Sequence, residues 1–272
     1  MNWFESIIYG FVSGISEFMP ISSPAHQAVL RFFVGVDNIS PLQQLLIHIA
    51  SIAAIFTAYR SAQELLRQRD TRSRRRTRNS SITPLDMRII KTSFLAYLLI
   101  YILLYIFVDI SNNLLLLSVF LSINGAILFI PERMLQGNKN AKSMSSIDSF
   151  LIGAVSGLSA FAGISRIGCT SSVAVARGAD RQQSLKWSLL LSIFALGALC
   201  CLDIYQLFFY HTESISFYRI LCMLLSAVSA YFSSYLGIKL IQFILIKTNL
   251  SGFAYYSWGA SLFTFILYLT VV

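Results

Sequence analysis

Apolar residues run almost unbroken through six stretches of the chain: Leu42–Tyr59, Phe94–Val108, Leu114–Ile130, Leu185–Phe209, Ile220–Ile246 and Tyr255–Val272. Each is close to the ~20 residues that a helix needs to cross the hydrocarbon of a bilayer, so the pattern predicts six spanning helices. Two further stretches, Trp3–Phe33 and Ser149–Gly178, are apolar overall but interrupted at their midpoints by Gly, Pro and Ser. They predict helix–break–helix hairpins. A break frees backbone N–H and C=O groups, which membrane depth tolerates only where protein or a water-filled cavity surrounds them. Both breaks are therefore expected to line a site. The alternative is a kinked packing helix in which Gly and Ser merely allow close approach.

The two breaks resemble one another. Gly10-Phe-Val-Ser-Gly-Ile-Ser-Glu-Phe-Met-Pro-Ile-Ser22 aligns without gaps on Gly153-Ala-Val-Ser-Gly-Leu-Ser-Ala-Phe-Ala-Gly-Ile-Ser165, with eight of thirteen positions identical. Each copy opens one half of the chain. A hairpin plus three spanning helices is an odd number of crossings, so the second half is expected to insert upside down. The predicted fold class is an all-α polytopic membrane protein with six spanning helices and two re-entrant helix–break–helix hairpins in an inverted-topology repeat. Residues 1–131 form the first repeat and 149–272 the second, within one integral membrane domain.

Composition agrees with lipid as the solvent: 56% of the residues are hydrophobic and only 12% charged, about half the charge of a soluble domain. The formal charge of +9 could suggest nucleic acid, but ten of the 21 Lys and Arg lie between Arg60 and Lys91. A loop of this kind reads as a cytoplasmic orientation signal and a contact for anionic headgroups. With loop 60–91 inside, Arg133, Lys139, Lys142, Arg177, Arg181, Lys186 and Lys247 fall on the same side, whereas Asp109–Asn113 and Tyr210–Ser216 carry no Lys or Arg. Hairpin one then enters from outside and hairpin two from the cytoplasm. Cys169, Cys200, Cys201 and Cys222 lack metal-ligand spacing and read as buried free thiols. Met1–Tyr9 has no basic segment or small-residue cleavage site, so no removable signal peptide is expected.

Ionisable groups at membrane depth are functional candidates because burying them is costly. Hairpin one carries Glu17, Ser22, Ser23 and His26; hairpin two carries Ser165, Arg166 and Thr170, with Gly163 and Gly168 giving the backbone room. An Arg at a helix N-terminus beside hydroxyls and free amides suits an anion, phosphate above all. Glu17 and His26, on opposite arms of one hairpin, suggest proton transfer or metal binding if they face one cavity. The bland alternative is a structural ion pair of Glu17 with Arg166, with His26 bonded to backbone. His48, on the Leu42–Tyr59 helix with Gln43 and Gln44 near its outer end, reads equally as a polar cavity wall or as a packing histidine. Gly153-Ala-Val-Ser-Gly has no strand before it, which removes dinucleotide and P-loop readings.

Ser16-Glu17-Phe18-Met19-Pro20-Ile21-Ser22-Ser23-Pro24-Ala25-His26 resembles the Glu-Phe-Leu-Pro-Val-Ser-Ser-Thr-Gly-His motif of the bacterial undecaprenyl-diphosphatase, or bacitracin-resistance, family. Ala162-Gly163-Ile164-Ser165-Arg166-Ile167-Gly168-Cys169-Thr170 is similar to that family's Pro-Gly-x-Ser-Arg-Ser-Gly-x-Thr. His48 sits where the family often has His or Gln. The resemblance implies a multi-pass protein of the bacterial cytoplasmic membrane that removes one phosphate from undecaprenyl diphosphate at the outer face, recycling the carrier lipid for cell-wall synthesis. It implies a divalent cation, Mg²⁺ or Ca²⁺, held by Glu17 and substrate phosphates. It makes Glu17, His26, Ser23 and Arg166 the catalytic candidates, and Ser22, Ser165, Arg166, Thr170, Gly163 and Gly168 the phosphate-binding ones. The expected partners are a polyprenyl diphosphate and membrane lipid, not nucleic acid; a homodimer is left open. Where the family usually has Glu or Gln four residues before Glu17, this chain has Ser13, a further candidate for the cavity wall. Where it has Ser after the motif Arg, this chain has Ile167. The nucleophile stays open between Ser23, His26 and water. A non-catalytic or dual-role polyprenyl-phosphate transporter is the rival function, because inverted repeats are a transporter architecture.

Overall fold

A computed structural model describes residues 1–35, 39–69, 82–107, 113–134, 137–210, 216–247 and 250–271. These residues are helical almost throughout. In chain order they form α1 (Trp3–Phe18), α2 (Ser23–Val34), α3 (Pro41–Arg69), α4 (Pro84–Phe107), α5 (Leu114–Phe129), α6 (Ser146–Gly157), α7 (Arg166–Ala176), α8 (Arg181–Tyr210), α9 (Phe217–Lys247) and α10 (Ser251–Val271). Short 3₁₀ turns follow α5 at Ile130–Arg133 and α6 at Leu158–Ala160.

Five helices are long and apolar enough to cross a membrane, within α3, α4, α5 with its 3₁₀ extension, α8 and α9. The chain is a polytopic α-helical membrane protein. Leu95 and Leu99 of α4 and Leu262 and Leu269 of α10 face outward, more than half exposed, while serines fill the interior. The sixth predicted span falls on α10. That helix has 21 residues, but Tyr255, Tyr256, Ser257 and Trp258 make its first half less apolar, and it is not among the five. The predicted loop 60–91 is shorter than the charge pattern suggested. Helix α3 continues to Arg69 and α4 begins at Pro84, because a run of Arg, Gln, Glu and Leu is compatible with helix. The centre of that loop, 70–81, lies outside the described residues, as do 108–112 and 211–215. All four cysteines are free; Cys169 and Cys222 are buried, but Cys201 is exposed on α8.

The stretches predicted as hairpins are pairs of short helices, α1–α2 and α6–α7. Each begins with a reciprocal cap at matching positions: Asn2 with Glu5 in α1, and Ser145 with Asp148 in α6. Such caps satisfy the first orphan amides of a helix. Hairpin two returns to the end where it started, because Asp148 at the start of α6 pairs with Arg177 just past α7. At that same end Lys186 meets Asp86, Arg181 meets Glu132, and Glu132 also accepts the Leu250 N–H. These contacts gather the starts of α4, α6, α8 and α10. Hairpin one starts at the far end: α1 runs alongside α9, which follows the end of α8, with Ser229 Oγ donating to the Ile7 carbonyl at 2.8 Å and Gly237 against Ile15, and Tyr9 Oη donates to Gln27 Oε1 of the returning α2. The two hairpins thus enter the bundle from opposite ends.

Each hairpin leans on a helix of the other half. Along α1, a Cβ on Gly10 would stand 2.0 Å from the Ser226 carbonyl oxygen of α9. Along α6, a Cβ on Gly153 would stand 1.9 Å from the Ser93 carbonyl oxygen of α4. The aligned glycines therefore do the same work twice, letting helix backbones touch. Gly10→Ala and Gly153→Ala are each expected to destabilise the detergent-solubilised protein by about 1–3 kcal/mol. Gly197→Ala, where a Cβ meets nothing within 4 Å, should leave the melting temperature unchanged; thermal unfolding of the three variants checks both expectations.

Candidate functional site

The breaks of the two hairpins meet inside the bundle and use up one another's backbone groups. Ser22 turns the chain with φ 70°, a left-handed conformation rare for a residue with a Cβ. Its Oγ accepts a 3.0 Å hydrogen bond from the Gly163 N–H of the other break, where φ is 116°. Ser165 caps α7 by accepting the Gly168 N–H at 3.1 Å, and its Oγ donates to the Met19 carbonyl at 3.3 Å. Asn124 of α5 joins them: its Oδ1 accepts the Ser165 N–H at 2.9 Å, and its Nδ2 donates to the Pro20 carbonyl at 3.1 Å and to Ser257 Oγ at 3.0 Å. No part of Asn124 reaches solvent. A single amide from a third helix thereby ties both breaks together.

Beside this junction lies a cavity of about 230 Å³. Its walls carry Glu17, Ser23, Gln27, Ser165 and Arg166 from the hairpins, Gln44 and His48 from α3, Tyr97 and Tyr101 from α4, and Asp203 from α8. Arg166 donates from a terminal nitrogen to Glu17 Oε1, an ion pair that spans the two hairpins; both side chains are largely buried, at 8% and 13% exposure. Glu17 Oε2 makes no hydrogen bond among the described residues, and the Arg166 Nε–H is buried without a partner. The pair therefore keeps capacity for a further anion and a further cation. Also lining the cavity, His48 Nδ1 lies 2.7 Å from Asp203 Oδ2.

The family profile described as bacitracin resistance protein BacA matches residues 6–263 of the chain. The chain belongs to the BacA family. Among its relatives, Undecaprenyl-diphosphatase 3 of Bacillus cereus is 27% identical over the whole of both chains. An undecaprenyl-diphosphatase of Carboxydothermus hydrogenoformans is 28% identical over 95% of this chain and 94% of its own. An undecaprenyl-diphosphatase of Treponema denticola is 29% identical over 95% and 99%.

In this BacA-family member the structure sorts the motif residues. Glu17, Ser23, Ser165 and Arg166 line the cavity, as does His48. Ser22, Gly163, Gly168 and Thr170 do not; they build the junction behind it. Thr170 Oγ1 donates to the Arg166 carbonyl at 2.8 Å and lies 2.8 Å from Ser156 Oγ. Ser13 is buried behind Ser23, whose Oγ donates to the Ser13 carbonyl at 3.3 Å. Ile167, standing in place of the family's second Ser, packs with Phe18, Ala54 and Leu196 away from the cavity. That replacement removes no group from the cavity wall.

His26 does not join Glu17. Its Nδ1 bonds the Ser22 carbonyl at 2.8 Å, its Nε2 bonds Tyr256 Oη at 2.7 Å, and the ring stacks on Tyr256 of α10. Ser23 and Gln27, one helical turn apart on α2, take the cavity face instead. The ion pair and the backbone-bonded histidine are the geometry of the bland alternative, here set around a polar cavity. Gln44, on the same helix as His48, lines the cavity as expected, whereas Asp203, Asn124 and the two tyrosines were not singled out from sequence. Asp203 and Asn124 were nevertheless signalled: Asn124 is the one amide or charged residue of Leu114–Ile130, and Asp203 the one acid of Leu185–Phe209.

Replacing Asn124 by Leu strands the Pro20 carbonyl and the Ser165 amide. At about 1–3 kcal/mol for each buried group left unsatisfied, the variant should lose about 2–6 kcal/mol, read from thermal unfolding in detergent.

Proposed function

We propose that this protein hydrolyses undecaprenyl diphosphate to the monophosphate and inorganic phosphate, in the bacterial cytoplasmic membrane, from the outer side. The single observation that carries the reading is the Glu17–Arg166 pair spanning the two breaks in a polar cavity at membrane depth. It is supported by the BacA family, whose relatives bear the name undecaprenyl-diphosphatase. Orientation follows from charge. Arg177, Arg181 and Lys186 mark one end of the bundle, which the positive-inside rule assigns to the cytoplasm. Asp203 lies 22 residues along α8 from Arg181, about 33 Å of helix, so the cavity opens toward the other side.

Arg166, with its unpartnered Nε–H, would hold the diphosphate in the cavity, and the Ser165 and Ser23 hydroxyls would join it by exchanging their 3.3 Å bonds to the Met19 and Ser13 carbonyls for phosphate oxygens. Hydrogen-bond donors fixed where charge grows on the phosphoryl oxygens lower the barrier most. Ser23 is poorly placed as a nucleophile: its partners are the Ser13 carbonyl and the Gln27 Nε2 amide at 3.0 Å, and neither is a base. Attack by water fits better. The charges lining the cavity favour the addition of a cation with the substrate. Glu17 already offsets Arg166, and Asp203 adds a second carboxylate, so an entering diphosphate meets no net positive field.

A divalent cation fits these donors in a limited way. Among the described residues no three His, Cys, Asp or Glu cluster, but Mg²⁺ and Ca²⁺ take oxygen ligands, and Mg²⁺ is commonly held by one or two carboxylates plus substrate phosphates. Glu17 Oε2 is the free carboxylate oxygen for that role. Bound there, the ion would supply charge neutralisation on the phosphoryl oxygens. The residue boundaries 1–131 and 149–272 of an inverted repeat belong to the same proposal, supported by the swapped packing of α1 on α9 and α6 on α4.

Purified protein with Mg²⁺ or Ca²⁺ should release phosphate from undecaprenyl or farnesyl diphosphate, and chelation should stop it. Arg166→Ala should lower the rate by about 10²–10³-fold, and Glu17→Gln should raise the cation concentration needed. Wild-type protein as slow as Arg166→Ala would sink the reading. Because the hairpins enter from opposite ends, transbilayer movement of a labelled prenyl phosphate should be measured alongside; movement without phosphate release would establish the transporter instead.

A further inference from the structure

Two histidines lie near the breaks, and their hydrogen bonds assign their tautomers. The partner of His26 Nδ1 is a carbonyl, which only accepts, so Nδ1 carries the proton. Its Nε2 lone pair is then taken by the Tyr256 hydroxyl at 2.7 Å. The motif histidine has no basic site left over. In His48 the partner of Nδ1 is the Asp203 carboxylate at 2.7 Å, again an acceptor, so Nδ1 donates and the lone pair resides on Nε2. Nε2 makes no hydrogen bond among the described residues. His48 and Asp203 line the same cavity as Glu17 and Arg166.

We propose that His48, held in this tautomer by Asp203, is the general base that deprotonates the attacking water, a role that rests on the phosphatase reading above. A second observation points to the same place. Gln44 lies one helical turn before His48 on α3, lines the cavity, and has a buried Oε1 without a hydrogen-bond partner. A water between them would give one hydrogen to His48 Nε2 and the other to Gln44 Oε1. Its oxygen then bonds the terminal phosphorus while the bond from that phosphorus to the bridging oxygen breaks. The electron pair leaves on the prenyl monophosphate, and the proton taken by Nε2 passes to solvent. Asp203 stabilises the imidazolium that forms and fixes the ring, acting as a positioning residue. Glu17 adds a second negative charge to the cavity that favours this imidazolium, and Arg166 opposes it.

The test uses full-length protein, farnesyl diphosphate and saturating Mg²⁺. His48→Ala should lower kcat by about 10²–10⁴-fold with KM within about threefold of wild type, and added imidazole should restore at least a tenfold part of the loss. Arg166→Ala should show no rescue by imidazole. Asp203→Asn should lower kcat while leaving KM unchanged. Should His48→Ala not fold, His48→Gln, which keeps a polar side chain of similar reach, is read for the same loss of kcat. A His48→Ala or His48→Gln enzyme with wild-type kcat overturns the proposal while leaving the phosphatase intact. So does a loss of activity that imidazole leaves untouched and that tracks a lowered melting temperature. A wild-type enzyme that releases no phosphate overturns both.

Discussion

A backbone N–H or C=O freed at bilayer depth must find a protein partner, and two broken helices free several such groups at once. In this chain each break answers the other. Ser22 Oγ takes the Gly163 amide, Ser165 Oγ reaches the Met19 carbonyl, and Asn124 takes one group from each. Neither hairpin could keep its shape alone in lipid, so the positions of the hairpin groups in the cavity, Glu17, Ser23, Gln27, Ser165 and Arg166, descend from this exchange. The glycines at 10 and 153 set the same constraint from outside, since they allow each hairpin to press its backbone against a helix of the other half.

The electrostatics follow from that placement. Arg166 and Glu17 come from different hairpins, so their ion pair exists only when both breaks are seated. Burying a charge pair is costly unless each partner is well bonded, and here a second carboxylate oxygen and the guanidinium Nε–H remain unused. A site that leaves such capacity open is suited to bind a charged ligand. The same cavity carries the independent His48–Asp203 pair, and its volume of about 230 Å³ leaves room for a phosphate group and water.

Much of this was legible in the residues. The repeat was readable because the same close approach demands Gly10 and Gly153, and Ser22 and Ser165 open the second helix of each hairpin at corresponding positions, although only Ser165 caps its own helix while Ser22 takes the Gly163 amide. Glu17 and Arg166 stood out because charge in an apolar run is costly. The side to which His26 turns was not readable: the eight residues between it and Glu17 cross a left-handed turn at Ser22, which resets the helical phase. Nor was the full membership of the cavity, because Tyr97 and Asp203 reach it from two further helices whose meeting is decided by long-range packing. Asp203 carried a signal of its own, an acid within a predicted span, but nothing in its neighbours named His48, 155 residues earlier, as its partner.

The central claim is that Glu17 and Arg166 act as one unit across the meeting breaks. A double-mutant cycle of Glu17→Gln and Arg166→Gln, read as kcat/KM for phosphate release from farnesyl diphosphate at saturating Mg²⁺, measures this directly. The account predicts strong coupling, with the double variant no slower than the slower single variant. Fully additive losses would show that the two residues work independently and would contradict it.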